Sequence, residues 1–188
     1  MFGAGFNGSP GLSPLAVMAD FWEFLLRYLH VLAGTLWMGS TVFLATIHLP
    51  WARRARGAAG FEAHWGVTRR ANNLVGGLGF VTTILGLGSA LSEFGTANLF
   101  TWADRGGSEG GLAFAGAVLA LSALALWFVH RAPLRRLDAF MGEKWSPEAQ
   151  AGAERAYRSL AHVMSVEAGA LVVALALMVA AGMGGLQA

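Results

Sequence analysis

Four long apolar segments constrain this chain more than any other feature of its sequence. A helix needs about 20 mostly apolar residues to cross the hydrocarbon core of a bilayer. The segments that meet this requirement are 24–49, which Pro50 should end, 71–93, 111–130 and 160–182. We therefore predict an all-α polytopic membrane protein, a four-helix up-and-down bundle that forms one domain over 21–188. Residues 1–20 should form a flexible N-terminal lead.

The composition points the same way. The chain is 55% hydrophobic and 13% charged, whereas soluble domains are roughly 45–50% apolar and about 25% charged. A formal net charge of +2 gives no reason to expect a nucleic-acid partner. The chain has no cysteine, which excludes thiolate-bound iron–sulfur clusters and thioether-attached haem c. A metal cofactor would need His, Met, carboxylate or backbone ligands.

The basic residues predict how the chain sits in the membrane. Of the 13 Lys and Arg residues, all except Arg27 and Arg105 lie in the connections that follow the first and third spans. Cytoplasmic loops of membrane proteins are enriched in Lys and Arg. We therefore expect a multi-pass protein with both basic connections in the cytoplasm and both termini outside.

Both basic connections carry helix signals of their own. Ser146, Pro147 and Glu148 combine an N-cap, a proline at the first helical position and an acid in the first turn. The fourth helix should therefore begin in water and run into the membrane. In the first connection, Phe61 and Trp65 suggest a short interfacial helix with both aromatic side chains facing lipid.

The second span carries a face of small residues at helical spacing, formed by Gly76, Gly79, Thr83 and Gly86. Such a face lets another backbone approach closely, so it favours tight helix packing. The approach of a flat cofactor is the alternative.

His30 is the strongest candidate for a functional residue, because an ionisable group inside a span is costly unless it has a role. It shares a helix face with Arg27, Gly34 and Trp37. Haem b would use that set as an axial imidazole, a cation for its propionates and a slot for its ring. Met178 is a candidate second ligand; a five-coordinate haem and a ligand from a second chain are alternatives. A histidine that hydrogen-bonds across helices would look the same.

Three further histidines, His48, His130 and His162, should lie near the cytoplasmic ends of separate helices and are candidate metal ligands. The alternative is that they are interfacial residues beside phospholipid, as we expect for His64. Glu167, inside the fourth span, should be protonated, pair with a basic group or transfer protons to a quinone.

The chain resembles small haem-associated bacterial membrane proteins with four helices: the membrane domain of PuuD urate oxidases and, more distantly, CopD-like and HemJ proteins. The stretch from His30 to Gly39, with Trp37, looks like the opening of their first span. The similarity extends through 69–88, 127–129 with Pro133, and 147–165. The resemblance implies a haem b bundle in the bacterial inner membrane, with His30 as an axial ligand. PuuD also carries a cytochrome c domain, whereas nothing in this cysteine-free sequence could bind haem c.

Three functions remain in competition. The first is a haem-b-binding electron-transfer protein that works with a quinone or a partner protein. The second is an accessory subunit without cofactor chemistry, in a larger respiratory or photosynthetic complex or a homo-oligomer. The third is a metal-handling membrane protein, although the scattered methionines form no ladder along a path.

Overall fold

The computed structural model describes residues 14–54, 57–94, 107–140 and 146–184. Within those ranges the chain is helical almost throughout, and no strand is present. Four segments are long and apolar enough to cross a membrane: Phe21–Ala52, Ala59–Ser89, Phe114–Ala139 and Pro147–Ala180. The prediction of an all-α, multi-pass membrane protein is confirmed.

The first span contains a local change of helix type. Helix α1 (Pro14–Phe43) continues into a π-helical turn (Leu44–His48) and then into α2 (Leu49–Ala52). The N–H of Leu49 bonds to the carbonyl of Leu44, five residues back. Pro50 follows directly and has no N–H to continue the α-helical ladder, so the wider turn lets the helix run past it. The helix also covers 14–20 of the predicted flexible lead; 1–13 lie outside the described residues.

Helix α3 (Gly57–Phe94) contains the segment that we expected to form a separate interfacial helix. Phe61 and Trp65 are only 4% and 2% exposed, so the prediction that they face lipid is wrong. Phe61 packs edge-on against Tyr157, with ring centroids 6.1 Å apart. Trp65 donates its Nε1 hydrogen to Asp138 over 3.2 Å. Protein side chains replace lipid here because Asp138 and Tyr157, from later helices, pack against the start of α3.

Helix α4 (Gly107–Val129) is followed after His130 by the short helix α5 (Arg131–Ala139). The α-helix is interrupted between α4 and α5 because Pro133 has no backbone N–H to donate to the carbonyl of Val129. Bonds of 3.1 Å, from His130 to Leu126 and from Leu134 to His130, keep the two helices in line.

Helix α6 (Pro147–Gly184) begins where the sequence predicts. The backbone N–H of Ala149 donates to the Ser146 hydroxyl over 3.2 Å, which is an N-cap bond. The helix then runs without interruption through the fourth span.

The bundle consists of two tightly packed pairs: the N-terminal hairpin (α1 and α3) and the C-terminal hairpin (α4 and α6). The two hairpins meet at Gly79, which leaves room for Trp37 and Leu124. If Gly79 carried a Cβ, atoms of these two side chains would lie 3.0–3.1 Å from it. Trp127 occupies the space beside Gly76 in the same way. In the described fold, side chains of this protein therefore occupy the space beside these two glycines. We call the end that carries α2, α5 and the starts of α3 and α6 the basic end.

Candidate functional site

Three buried polar side chains from three different segments meet in the middle of the bundle. Glu167 of α6 and His130, at the α4–α5 junction, are both 0% exposed, and Trp37 of α1 is also buried. The Trp37 Nε1–H donates to Glu167 Oε1 over 3.3 Å. His130 Nε2 lies 3.0 Å from Glu167 Oε2, although its alignment is not that of a hydrogen bond. We call Trp37, His130 and Glu167 the core triad.

The local sequence explains how Trp37 and His130 reach the centre. Gly79 provides the space for the indole ring of Trp37. Thr41, one turn further along α1, donates its hydroxyl hydrogen back to the Trp37 carbonyl over 2.9 Å and so hides its own polar group. His130 sits at the break caused by Pro133, where α4 ends.

The electrostatics of the core triad require its members to be considered together. A lone carboxylate in an apolar interior costs several kcal/mol, so buried acids are paired or protonated. Glu167 and His130 can form an ion pair, or a neutral acid beside a neutral imidazole. The two states differ in which group carries one proton, and Oε2 and Nε2 are 3.0 Å apart. His130 Nδ1 is also buried and has no hydrogen-bond partner. Either member of the pair can therefore carry the proton.

His30 lies nearer the opposite end of the bundle and faces α3. Its Nδ1 is 2.9 Å from the backbone carbonyl of Thr82. A carbonyl oxygen can only accept, so Nδ1 carries the hydrogen, and a neutral ring bonded in this way has its lone pair on Nε2. Gly86 makes room for the ring, since a Cβ there would lie 2.6 Å from His30 Cε1. The imidazole is thus held in one orientation and one tautomer.

The other residues predicted to surround a haem are used differently. Arg27 forms an exposed ion pair with Glu23, one turn earlier on α1. The space beside Gly34 is bordered by the Thr82 methyl group, 3.4 Å from the position of a Cβ. Met178 packs at Gly116, where its Cγ is 3.0 Å from the position of a Cβ. The expected set is therefore divided: His30 faces α3, Met178 faces α4, and Trp37 belongs to the core triad.

Two histidines, His48 and His64, lie close together at the basic end. His48, in the π-helical turn, is 2.9 Å from the Thr68 hydroxyl through its Nε2. Thr68 donates its own hydrogen to the His64 carbonyl, so His48 must be the donor in this bond. The His48 and His64 rings are 6.0 Å apart, and Trp51 packs edge-on against His64 at 4.2 Å. Thr68 was not identified as a candidate, although its position four residues after His64 was a visible signal.

A convergent metal site would require His48, His130 and His162 to meet. The structure does not bring them together. His48 bonds to Thr68, His130 contacts Glu167, and His162 is exposed on α6. Over the described ranges, no group of three or more His, Cys, Asp or Glu side chains could hold a metal ion. The reason is geometric, since the three histidines lie on different faces of their helices.

Comparison with known proteins adds no family to these observations. The chain matches no family model, no curated protein and no solved structure.

Proposed function

We propose that this protein binds one haem b through His30 Nε2 and passes electrons within the membrane. The observation that supports this most directly is the bond from His30 Nδ1 to the Thr82 carbonyl. Metal-ligating histidines almost always donate their second ring N–H to a carbonyl or carboxylate, which sets the tautomer and the ring angle. When bound, haem b supplies one-electron redox chemistry.

The residues around His30 set limits on this site. The hydrogen bond at Nδ1 suits a ligating imidazole. The Thr82 methyl group borders the space beside Gly34, so the macrocycle would not lie there. Met178, the predicted second ligand, packs at Gly116 instead. We therefore favour a five-coordinate haem, or a second ligand from another copy of this chain. Arg27 would have to exchange Glu23 for a propionate, which its exposed position allows.

The core triad suggests what the electron partner is. Trp37 lies seven residues after His30 on the same helix, which is about 10 Å along the axis. A quinone takes up protons along with electrons, and the pair of Glu167 and His130 can hold one proton. A quinone is therefore our favoured partner. By the positive-inside rule, we further propose that the basic end faces the cytoplasm of a bacterial inner membrane.

An absorption spectrum of the purified protein, before and after addition of haem, tests the proposal. We expect a Soret band in the wild type, loss of the band in His30→Ala, and its retention in His162→Ala. The control removes an exposed histidine and leaves the buried contacts unchanged. Absence of a Soret band, or a band unaffected by His30→Ala, would contradict haem binding.

A scaffold subunit is the second candidate, because the same bond between His30 and Thr82 also fastens α1 to α3 without any cofactor. In that case His30→Ala lowers stability but changes no spectrum, and the protein co-purifies with partner subunits. A metal-handling role has less support, since the described residues contain no group of three or more His, Cys, Asp or Glu side chains that could hold a metal ion.

A further inference from the structure

A groove at the basic end, between α3 and α5, is lined by cationic side chains. None of them belongs to the core triad or to the His30 site. Its volume is about 320 Å³, which is at the lower end of the range of small-molecule sites. The lining residues are Trp65, Arg69, Asn73, Arg131, Leu134, Arg135 and Asp138.

The charges in this groove do not balance. Three guanidinium groups face one carboxylate, that of Asp138, so the lining carries an excess of positive charge. Asp138 Oδ1 accepts the Trp65 hydrogen and lies 3.8 Å from Arg69 Nη1. One acid is thus shared between a neutral donor and a cation. Arg131 and Arg135, which both line the groove, are exposed on α5.

The aromatic surface beside the groove holds one of these cations in place. The Arg131 guanidinium lies 4.7 Å from the Trp127 ring centroid and 5.7 Å from that of Phe128. Stacking on aromatic faces leaves the N–H groups along the guanidinium edge free for an anion. The planar fork of Arg matches the oxygens of a phosphate.

The position of the groove relative to the apolar surface indicates where the anion comes from. Phe128 and Val129, which directly precede His130 and α5, are about half exposed in the last turn of α4. Leu134 adds an apolar wall to the groove itself. A ligand would therefore have its charged group among the arginines and its apolar part against the outside of the helix bundle.

We propose that this groove binds the phosphate group of an anionic phospholipid whose acyl chains lie along Phe128 and Val129. Basic pockets at helix ends bind the head groups of such lipids, with about 1 kcal/mol per Arg or Lys near the surface. A free phosphate ion shares the head-group chemistry but has nothing to place against the apolar surface.

Native mass spectrometry and thermal unfolding of the detergent-purified protein test this assignment. Three additions are compared: phosphatidylglycerol, phosphatidylcholine and inorganic phosphate. We expect phosphatidylglycerol alone to be retained and to raise the melting temperature. In Arg131→Gln/Arg135→Gln, we expect affinity for phosphatidylglycerol to fall about fivefold for each charge removed.

Arg155→Gln/Arg158→Gln is the matched control, because it removes the same charge from exposed positions on α6 outside the groove. It should bind phosphatidylglycerol like the wild type. The single variant Arg135→Gln changes an exposed side chain and keeps the test valid if the double variant folds poorly. Equal weakening in the control, equal retention of phosphatidylcholine, or an equal shift with inorganic phosphate would each overturn the assignment to an anionic lipid.

Discussion

His30 and Glu167 are both ionisable groups inside apolar helices, but the fold satisfies them in different ways. His30 bonds to a backbone carbonyl 52 residues away, within the N-terminal hairpin. Glu167 accepts a hydrogen from Trp37, 130 residues away, and also contacts His130, so its partners come from both hairpins. The first site can form as soon as α1 and α3 pair, whereas the second needs the complete bundle. Stability should therefore depend more on the core triad than on His30.

The largest expected effect comes from breaking the core triad. His130→Leu should lower the free energy of unfolding by about 3–5 kcal/mol, because it leaves a buried carboxylate without its partner. Equilibrium unfolding of the protein in mixed micelles with SDS would measure this change.

Two further variants test the physical cause. His162→Leu changes an exposed histidine and should stay within about 0.5 kcal/mol. Adding Glu167→Leu to His130→Leu should recover most of the loss, because apolar replacements of a whole buried pair are often nearly neutral. If His130→Leu were as mild as His162→Leu, the contrast between the two sites would fail.

A smaller effect is expected at the His30 site from Gly86→Ala. The added Cβ would lie 2.6 Å from His30 Cε1, so the ring must move and weaken its bond to Thr82. We expect a loss of about 1–3 kcal/mol, measured by the same unfolding experiment, together with a weaker Soret band.

Gly88→Ala is the control for this prediction. No heavy atom lies within 4 Å of a Cβ at Gly88, so the change should be neutral or stabilise the helix by up to about 1 kcal/mol. Equal responses at the two glycines would mean that the ring does not depend on the space at Gly86.

The smallest effect measures the bond from Trp37 to Glu167. A double-mutant cycle of Trp37→Phe and Glu167→Leu separates this bond from the packing that each substitution loses by itself. We expect a coupling of about 0.5–1.5 kcal/mol, the net contribution of a typical intramolecular hydrogen bond. A value near zero would remove Trp37 from the core triad.

The errors in the sequence-based predictions share one physical origin. Phe61 and Trp65 were assigned to lipid because an aromatic residue beside arginines is typical of an interface, yet α5 and α6 cover them. Helical periodicity shows that a helix has an apolar face but does not show whether protein or lipid covers that face. In the same way, Pro50 marked a break in the first span but did not indicate a π-helical turn.

The sequence by itself determined the number of spans, the N-cap at Ser146 and the presence of titratable groups in apolar helices. These properties depend on segment length, local hydrogen bonding and residue type, which act within a few turns of one helix. Only the tertiary structure decided that Glu167 contacts His130 and Trp37, that His30 faces Thr82, and that His48, His130 and His162 remain apart. Those outcomes depend on the rotation of each helix about its own axis. Close packing of glycines against large side chains sets that rotation across the bundle, and no single segment encodes it.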